Sequence, residues 1–287
     1  MPELPEVETI TRSLRNAADL AFLDSADYSN RPGVVSRRIA DVEVNWQRSI
    51  AEPDAVSFCR RLRGQTIADV QRRGKYLVFQ LDPDWMLIHL RMSGDIRVEP
   101  RSGKLLQPHD RVILNFTDGV RMVFNDTRKF GRVWLVAEPL TVLGGLGPEP
   151  LSADLGVEEF HHALLRYKRA IKAVLLDQGF IAGMGNIYTD EALHLAGIHP
   201  LEKSASLSTK RAEALLIAIR TVLEEGIRRN GASIDWVYRG GDFQNYFRVY
   251  QRTGEACPNC GTKIERIVVG QRGTHFCPVC QPHGIDR

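Results

Sequence analysis

Four of the five cysteines stand in two Cys-x2-Cys pairs near the end of the chain. Cys257 and Cys260 form the first pair, Cys277 and Cys280 form the second, and sixteen residues separate the pairs. Tetrahedral zinc takes four such ligands, and a two-residue spacer lets each pair wrap the metal in a tight turn. A disulfide framework is the weaker alternative, because the chain does not begin with a secretion signal. We therefore expect one structural zinc ion, with Cys59 as an ordinary small core residue.

The Met-Pro-Glu start of the chain is a second candidate for chemistry. If Met1 is removed, Pro2 becomes a terminal secondary amine with a pKa of about 8, unprotonated in roughly one molecule in ten near neutral pH. Attack of that amine on a sugar carbon would give a cationic iminium, which is an electron sink for later elimination, and the carboxyl of Glu3 could move protons. The alternative is that the segment only begins a helix, with Pro5 in the first turn and acids such as Glu6 beside the N-terminal dipole.

Charge is distributed unevenly, although the net charge is only +3. Between Cys59 and Lys75 there are six basic residues and one acid. Such a stretch suits the phosphates of a nucleic acid, or it is a solvated charged face, and composition leaves both open. No apolar run approaches the roughly 18 residues of a membrane span, so we expect a soluble cytoplasmic protein with no membrane partner.

The elements that must position these groups change along the chain. Apolar residues at helical spacing predict an amphipathic helix over 6–20. Short β-rich runs without helices between them then predict an antiparallel sandwich or barrel. The runs lie at 76–81, 85–90, 111–116, 120–124 and 132–136. Asp118 and Gly119 are expected to form a two-residue hairpin turn.

A stretch rich in proline and glycine separates this β-rich half from a helical half. Such a stretch suits neither a helix nor a sheet, and we interpret it as a linker. Helical spacing returns around 160–174 and 215–227. The pattern predicts an α+β protein with the metal hairpin at its end. Its predicted parts are a β domain at 2–137, the linker at 138–152, a helical domain at 153–250 and a zinc finger at 251–287.

Eight motifs follow the order found in the formamidopyrimidine-DNA glycosylase family, across nearly the whole chain. They are PELPEVET, RRGKYL, HLRMSG, NDTRKFGR, LGPEPL, GMGNIYTDEAL, AGIHP and the terminal zinc finger. The start resembles this family more than the related endonuclease VIII enzymes, which usually begin PEGPE. The resemblance implies an N-terminal antiparallel β-sandwich with a flanking helix. It also implies a C-terminal helix-two-turn-helix domain with a zinc-finger β-hairpin.

The same resemblance implies a bifunctional enzyme of base-excision repair. As a DNA glycosylase it would release oxidised bases, such as 8-oxoguanine and formamidopyrimidines. As an abasic-site lyase it would break both phosphate bonds by β,δ-elimination, through a Schiff base on Pro2. Its partner would be double-stranded DNA containing oxidised or abasic sites, bound by a monomer in the bacterial cytoplasm.

The resemblance assigns four residues to the chemistry. Pro2 matches the nucleophile of the family, and Glu3 matches its acid. Lys75 matches a lysine that contacts phosphate near the lesion and assists the first elimination, and Arg272 matches an arginine that grips phosphate and assists the second. Taken without the resemblance, Lys75 would be one more cation in a basic stretch and Arg272 a turn residue.

Further residues match the family's contacts to DNA. A damaged base must leave the stack before a nucleophile can reach its sugar, and the gap costs a few kcal/mol unless it is filled. Met92, Arg128 and Phe130 match the filling residues. The alternative places Met92 and Phe130 in the core and Arg128 on the surface. The remaining residues that fall where the family binds DNA are His109, Lys168 and Asn186.

Some features leave the function open in part. The segment 232–250 looks a few residues shorter than the family's loop over the everted purine, so oxidised pyrimidines or ring-opened purines could be preferred over 8-oxoguanine. A damage-binding module that has lost its chemistry is one alternative, although the intact Pro2 and Glu3 argue against it. A zinc-ribbon transcription or RNA-binding factor would explain only the last quarter of the chain. The tail at 281–287 has no physical account.

Overall fold

The computed structural model of the chain describes residues 1–15, 33–102, 105–233 and 240–283. The chain divides into two compact units. The first contains Met1–Gly144 and Ile227–Asp242, and the second contains Gly145–Gly226 and Phe243–Arg287. One boundary lies inside the stretch predicted as a linker, whereas the return of 227–242 to the first unit has no signal in the sequence pattern.

Two sheets build the first unit, and the second unit ends in a hairpin. The strands of the first unit are β1 (Ile39–Val44), β2 (Ile50–Glu52), β3 (Asp69–Arg73), β4 (Tyr76–Gln80), β5 (Trp85–His89), β6 (Gly94–Pro100), β7 (Asp110–Phe116), β8 (Val120–Asp126) and β9 (Arg132–Val136). The sheet orders are β1-β7-β8-β6 and β2-β9-β5-β4-β3, while β10 (Glu265–Val269) pairs with β11 (Arg272–Phe276). The sheets are antiparallel except that β2 and β9 run parallel.

One apolar core joins the two sheets of the first unit. Its buried side chains come from both sheets, for example Phe124 and Leu114 from one and Phe79 and Leu135 from the other. Burial of such a side chain contributes about 1.5–3 kcal/mol. Because inward and outward residues alternate along a strand, this core fixes the register of both sheets. The predicted β-sandwich is therefore confirmed.

Helices flank the first sheet domain and build most of the second unit. They are α1 (Leu4–Arg15), α2 (Ala55–Leu62), α3 (Leu140–Leu143), α4 (Val157–Leu165), α5 (Ile171–Leu175), α6 (Asn186–Leu195) and α7 (Thr209–Arg228). Short 3-10 turns lie at Gln47–Ser49, Ser204–Ser206 and Phe243–Tyr246. Within the described ranges no helix is long and apolar enough to cross a bilayer.

Local details differ from the sequence predictions at three places. The first helix begins at Leu4, two residues earlier than predicted, and the predicted positions 16–20 lie outside the described residues. The proline-rich linker contains the helical turn α3, because Pro139 supplies a φ of −64° that already suits a helix. The β7–β8 connection has three residues, 117–119, since Asn115 pairs with Arg121. Gly119, with φ +83°, occupies the left-handed position of that loop.

Candidate active site and zinc centre

The amino-terminal residues are held in place by a buried glutamate. Pro2 and Glu3 precede α1 and are both buried. The carboxylate of Glu6 accepts a hydrogen bond from the backbone N–H of Glu3 at 2.7 Å. This reach from the third helical residue back to the N-cap is one half of a capping box. The other oxygen of Glu6 accepts from the backbone N–H of Ala232 at 2.7 Å. Glu6 is thus more than an acid beside a helix dipole, because it ties the start of the chain to residue 232.

Close packing at Gly231 makes this contact possible. Gly231 has φ +79°, and a Cβ there would lie 2.5 Å from a carboxylate oxygen of Glu6. Only glycine allows that backbone conformation and that approach together. The hydroxyl of Ser233 then accepts from the N–H groups of Gly240 and Gly241 at 3.1 and 2.8 Å. Within the segment 232–250, Ser233 therefore bonds to Gly240 and Gly241 directly after the contact of Ala232 with Glu6, while residues 234–239 lie outside the described residues.

Lys75 lies in the tight turn between β3 and β4. Arg73 pairs with Tyr76, so Gly74 and Lys75 form a two-residue hairpin loop. Gly74 has φ +55°, as a glycine first in such a turn allows. Lys75 is only 6% exposed. The turn of the RRGKYL motif therefore positions this ammonium group by backbone geometry.

A neutral histidine lies near Lys75. Burial, together with Arg91 and Lys75, lowers the pKa of His89 to about 3. The imidazole is consequently uncharged near neutral pH, and its Nδ1 accepts a hydrogen bond from the N–H of Arg91 at 3.0 Å. The centres of the His89 and Tyr76 rings lie 4.7 Å apart, and the two rings are nearly perpendicular. The sequence pattern assigns His89 no role, and only its strand register, opposite Tyr76, places it beside the turn.

Much of the basic stretch before Lys75 is used inside the first unit. Three of its arginines form ion pairs, namely Arg61 with Asp84, Arg63 with Asp41 and Arg72 with Glu8. The Arg72 pair joins β3 to α1 at 2.9 Å. The number of positive residues in the sequence therefore overstates the charge that faces a partner.

Four predicted DNA-contacting residues come together at one end of the sandwich. Gly94 at the start of β6 pairs with Asp126 at the end of β8. The turn that contains Met92 and the loop that contains Arg128 and Phe130 therefore leave the sheet side by side. Asp110, next to His109, pairs with Asn125 and brings the fourth residue to the same end.

Phe130 does not belong to the core. It is 50% exposed, and the guanidinium carbon of Arg128 lies 5.1 Å from its ring centre. Lys129 between them places its ammonium 4.0 Å from the ring centre of Trp46, a cation–π contact. The loop thus presents Phe130 and Arg128 at its surface, while Lys129 between them is held against Trp46. This arrangement suits stacking and hydrogen bonding to a base.

A buried ion pair connects the helices of the second unit to its hairpin. Lys172 and Asp190 are both fully buried, with 2.6 Å between Nζ and the carboxylate. Asp190 also accepts from the backbone N–H of His275 at 2.9 Å. Lys172 donates in addition to the carbonyl of Gly273 at 3.1 Å. Two helices, α5 and α6, therefore hold the strand that begins at Arg272.

Glu191, the next residue of α6, holds the entry to the finger. Its carboxylate accepts from the backbone N–H groups of Arg248, Val249 and Tyr250 at 2.8–2.9 Å. Burial raises the pKa of Glu191 even against these bonds. The two adjacent acids of the TDEAL motif, Asp190 and Glu191, thus each hold the backbone of a later segment of the chain.

The remaining predicted DNA contacts all lie in the second unit. Lys168 is exposed between α4 and α5, and Arg272 is exposed after the turn of Gly270 and Gln271. Both turn residues have positive φ, as a two-residue type I′ hairpin requires. Asn186, the first residue of α6, uses its side-chain N–H to donate to the carbonyl of Gly273 at 3.0 Å. Its predicted contact to phosphate stays a prediction.

The four paired cysteines form a metal site. Their sulfurs all lie within 4.8 Å of one another, with 3.8 Å between Cys257 and Cys280 and 3.4 Å between Cys260 and Cys277. Zn–S bonds of about 2.3 Å in a tetrahedron place sulfurs about 3.8 Å apart, so the set fits one zinc ion. Backbone N–H groups of Asn259 and Cys280 point at the sulfurs of Cys257 and Cys277, both at 3.4 Å.

Two residues that sequence reasoning left without a role support the metal site. Burial, with Arg248 and Arg252 nearby, lowers the pKa of His194 to about 4, and its Nε2 lies 3.4 Å from the sulfur of Cys257. Gln281 donates to the carbonyl of Ile198 at 2.8 Å and accepts from the N–H of Cys277. Part of the tail without an account therefore closes the finger, while 284–287 lie outside the described residues.

Removal of zinc is expected to unfold the finger and spare the sandwich. The apolar cluster around the cysteines has only a few members, including Val249 and Ile264, so the metal must supply much of its stability. Hydrogen exchange after treatment with a chelator should rise in β10 and β11 and stay low in β7 and β8. Equal loss of protection in both regions would show that the zinc stabilises the whole chain.

Three family models match successive parts of the chain. The formamidopyrimidine-DNA glycosylase N-terminal domain matches residues 1–133, and the formamidopyrimidine-DNA glycosylase H2TH domain matches 146–237. The zinc finger found in FPG and IleRS matches 254–282. These matches follow the order of sandwich, helices and metal hairpin in the structure.

Whole-chain relatives agree with the family models. A formamidopyrimidine-DNA glycosylase of Chloroflexus aggregans is 43% identical over 98% of each chain, and one of Protochlamydia amoebophila is 38% identical over 98% of this chain and 99% of its own. A Lactococcus lactis FPG mutant in complex with a Fapy-dG containing DNA has a TM-score of 0.87 and 34% identity, covering 98% of this chain and 100% of that chain. A second Lactococcus lactis Fpg complex, with an abasic site containing DNA, has the same TM-score and identity and covers 98% of this chain and 99% of that chain. The chain belongs to the formamidopyrimidine-DNA glycosylase family.

Proposed function

We propose that this chain removes oxidised purines and formamidopyrimidines from double-stranded DNA and then cleaves the strand at the abasic site, with Pro2 as the nucleophile. The observation that carries the proposal is the hold on the amino terminus, where Glu6 fixes the backbone of Glu3 at 2.7 Å. Similar structures from Lactococcus lactis contain Fapy-dG or abasic-site DNA, which supports the same substrates here. The zinc ion has a structural role outside this chemistry.

The chemistry follows from the terminal secondary amine. The nitrogen lone pair of Pro2 bonds to C1′, the glycosidic bond breaks, and the base leaves with that electron pair and takes up a proton. Glu3 protonates the ring oxygen as the sugar opens, which leaves a cationic iminium. Loss of a C2′ proton then expels the 3′ phosphate, and a second elimination expels the 5′ phosphate. Lys75 and Arg272 assist these two eliminations by their charge at the phosphates.

Binding to DNA is proposed to use the end of the sandwich described above. Met92, Arg128 and Phe130 would fill the gap left by the everted base, with Arg128 bonding the orphaned partner base. His109, Lys168 and Asn186 would contact the strands, chiefly at phosphate. We propose that the protein acts as a monomer in the bacterial cytoplasm.

Borohydride reduction tests the nucleophile. Incubation with a duplex that carries one 8-oxoguanine should trap a covalent complex, and peptide mass spectrometry should find the adduct on Pro2. Blocking the amino terminus should abolish the adduct, because an amide nitrogen has no available lone pair. The Pro2→Gly variant should trap and cleave at least about tenfold more slowly, since a primary amine gives an imine that must be protonated to act as an electron sink.

A matched substitution separates chemistry from folding of the same segment. Pro5→Ala changes another proline of the PELP start, at a helical position where alanine is well accepted. The Pro5→Ala variant should form the borohydride-trapped complex at the rate of the unmodified protein. Full-speed lesion processing by blocked protein would refute Pro2 as the nucleophile. Tight binding to abasic DNA with neither adduct nor cleavage would instead favour a binding module without chemistry.

A further inference from the structure

We propose that Asp126 and Ser93 are positioning residues that lock the gap-filling turn and loop to each other, so that Met92, Arg128 and Phe130 enter the duplex as one unit. The inference rests on the proposed function, because it assumes that these three side chains fill the gap. Ser93 lies in the HLRMSG motif and Asp126 in the NDTRKFGR motif, but the resemblance assigned neither residue a role.

Asp126 is a buried carboxylate at the base of the loop. It is fully buried, at the last position of β8. One oxygen accepts from the backbone N–H of Gly131 at 2.7 Å, and the other accepts from the N–H of Arg128 at 3.2 Å. The carboxylate therefore closes the loop 127–131 from both of its ends. An unpaired buried carboxylate is costly, so the loop is held in the conformation that satisfies it.

Ser93 connects this carboxylate to the neighbouring turn. Its hydroxyl donates a hydrogen bond to the carboxylate of Asp126 and accepts one from the N–H of Arg128 at 3.0 Å. Ser93 directly follows Met92 and is 4% exposed. The position of the Met92 turn is thus tied to the position of Arg128 through one hydroxyl group.

Packing and a third strand complete the junction. A Cβ on Gly94 would lie 2.9 Å from the ring of Phe124, and a Cβ on Gly131 would lie 2.4 Å from the same ring. Both connections therefore need glycine where they leave the sheets. The backbone N–H of Asp126 also donates to the carbonyl of His109 at 3.0 Å. The connections that carry Met92, His109, Arg128 and Phe130 consequently meet at Asp126.

The Ser93→Ala variant tests the coupling, because it removes the connecting hydroxyl without creating a cavity. Two substrates are compared, a duplex with one formamidopyrimidine opposite cytosine and a single strand with one abasic site. Only the duplex leaves a gap between stacked pairs to be filled. We expect the ratio of duplex excision to single-strand cleavage to fall about tenfold, since loss of orientation in a positioned group costs rate in this range. Asp126→Asn should lower the ratio at least as much.

Ser49→Ala is the matched control. Ser49 is a fully buried serine of the same unit, and its hydroxyl has no hydrogen-bond partner among the described residues. Its substitution should keep the ratio of the unmodified protein. An unchanged ratio in Ser93→Ala, or an equal fall on both substrates, would overturn the inference. Absence of both activities in the unmodified protein would instead refute the proposed function. If Asp126→Asn does not fold, Ser93→Ala alone decides.

Discussion

Replacement of Lys172 by methionine is expected to destabilise the second unit by about 3–5 kcal/mol, the usual cost of leaving one buried charge without its partner. Asp190 would lose the ammonium that now lies 2.6 Å away, in surroundings where neither side chain is exposed. The carbonyl of Gly273 would lose one donor as well. The measurement is thermal unfolding combined with hydrogen exchange of α5, α6 and β11, because a chain of two units does not give one stability value.

Two further variants identify the cause of that loss. Adding Asp190→Asn to Lys172→Met removes the orphaned charge, and the oxygen of the new amide can still accept from the N–H of His275. The double variant should therefore regain part of the stability. Arg211→Met breaks an ion pair with Glu202 that is partly exposed, so it should cost less than about 1 kcal/mol. A loss in Lys172→Met no larger than in Arg211→Met would contradict the buried-pair explanation.

The sequence predicted those parts of the fold that depend on local pattern. The strands β4, β5, β7, β8 and β9 have apolar runs or alternation, and each lies within two residues of its predicted position. The cysteine spacing alone was enough to place the metal site. By contrast, β3 has a single apolar residue, Val70, and is held by pairing with β4. Long-range pairing of this kind leaves no local signal.

The sequence suggested candidate site residues, which stay predictions, but not the groups that support them. Family motifs indicated Met92, Arg128 and Phe130, but only strand register shows that their connections leave the sheets together. Buried acids were harder to interpret, because a carboxylate such as Asp126 has the same sequence appearance whether it faces water or a turn. Glu6 had one local signal, a glutamate three residues after the N-cap, which is typical of a capping box. Its second partner, 226 residues away, could not be foreseen.

Replacement of Glu6 by glutamine is expected to slow base release by about 10²-fold with little change in DNA affinity. The carboxylate now accepts two N–H groups, those of Glu3 and Ala232, each at 2.7 Å. A glutamine offers one oxygen and one NH₂, so one of these buried N–H groups would face another donor, at a cost of about 1–3 kcal/mol. The terminal residues would shift, and a misplacement near 1 Å can cost about 10²-fold in rate. Single-turnover excision and borohydride trapping measure the effect.

Glu8→Gln is the control, because it makes the same chemical change on the same helix. Burial alone would raise the pKa of Glu8, but Arg72 and Arg12 more than offset it, and the pKa is lowered. The Arg12 contact lies within α1 and the Arg72 contact joins α1 to β3, so the variant should lose stability rather than the rate of trapping. A Glu6→Gln enzyme that traps at the unmodified rate would show that Pro2 keeps its reactive position without this carboxylate. An equal loss in both variants would assign the effect to the stability of α1.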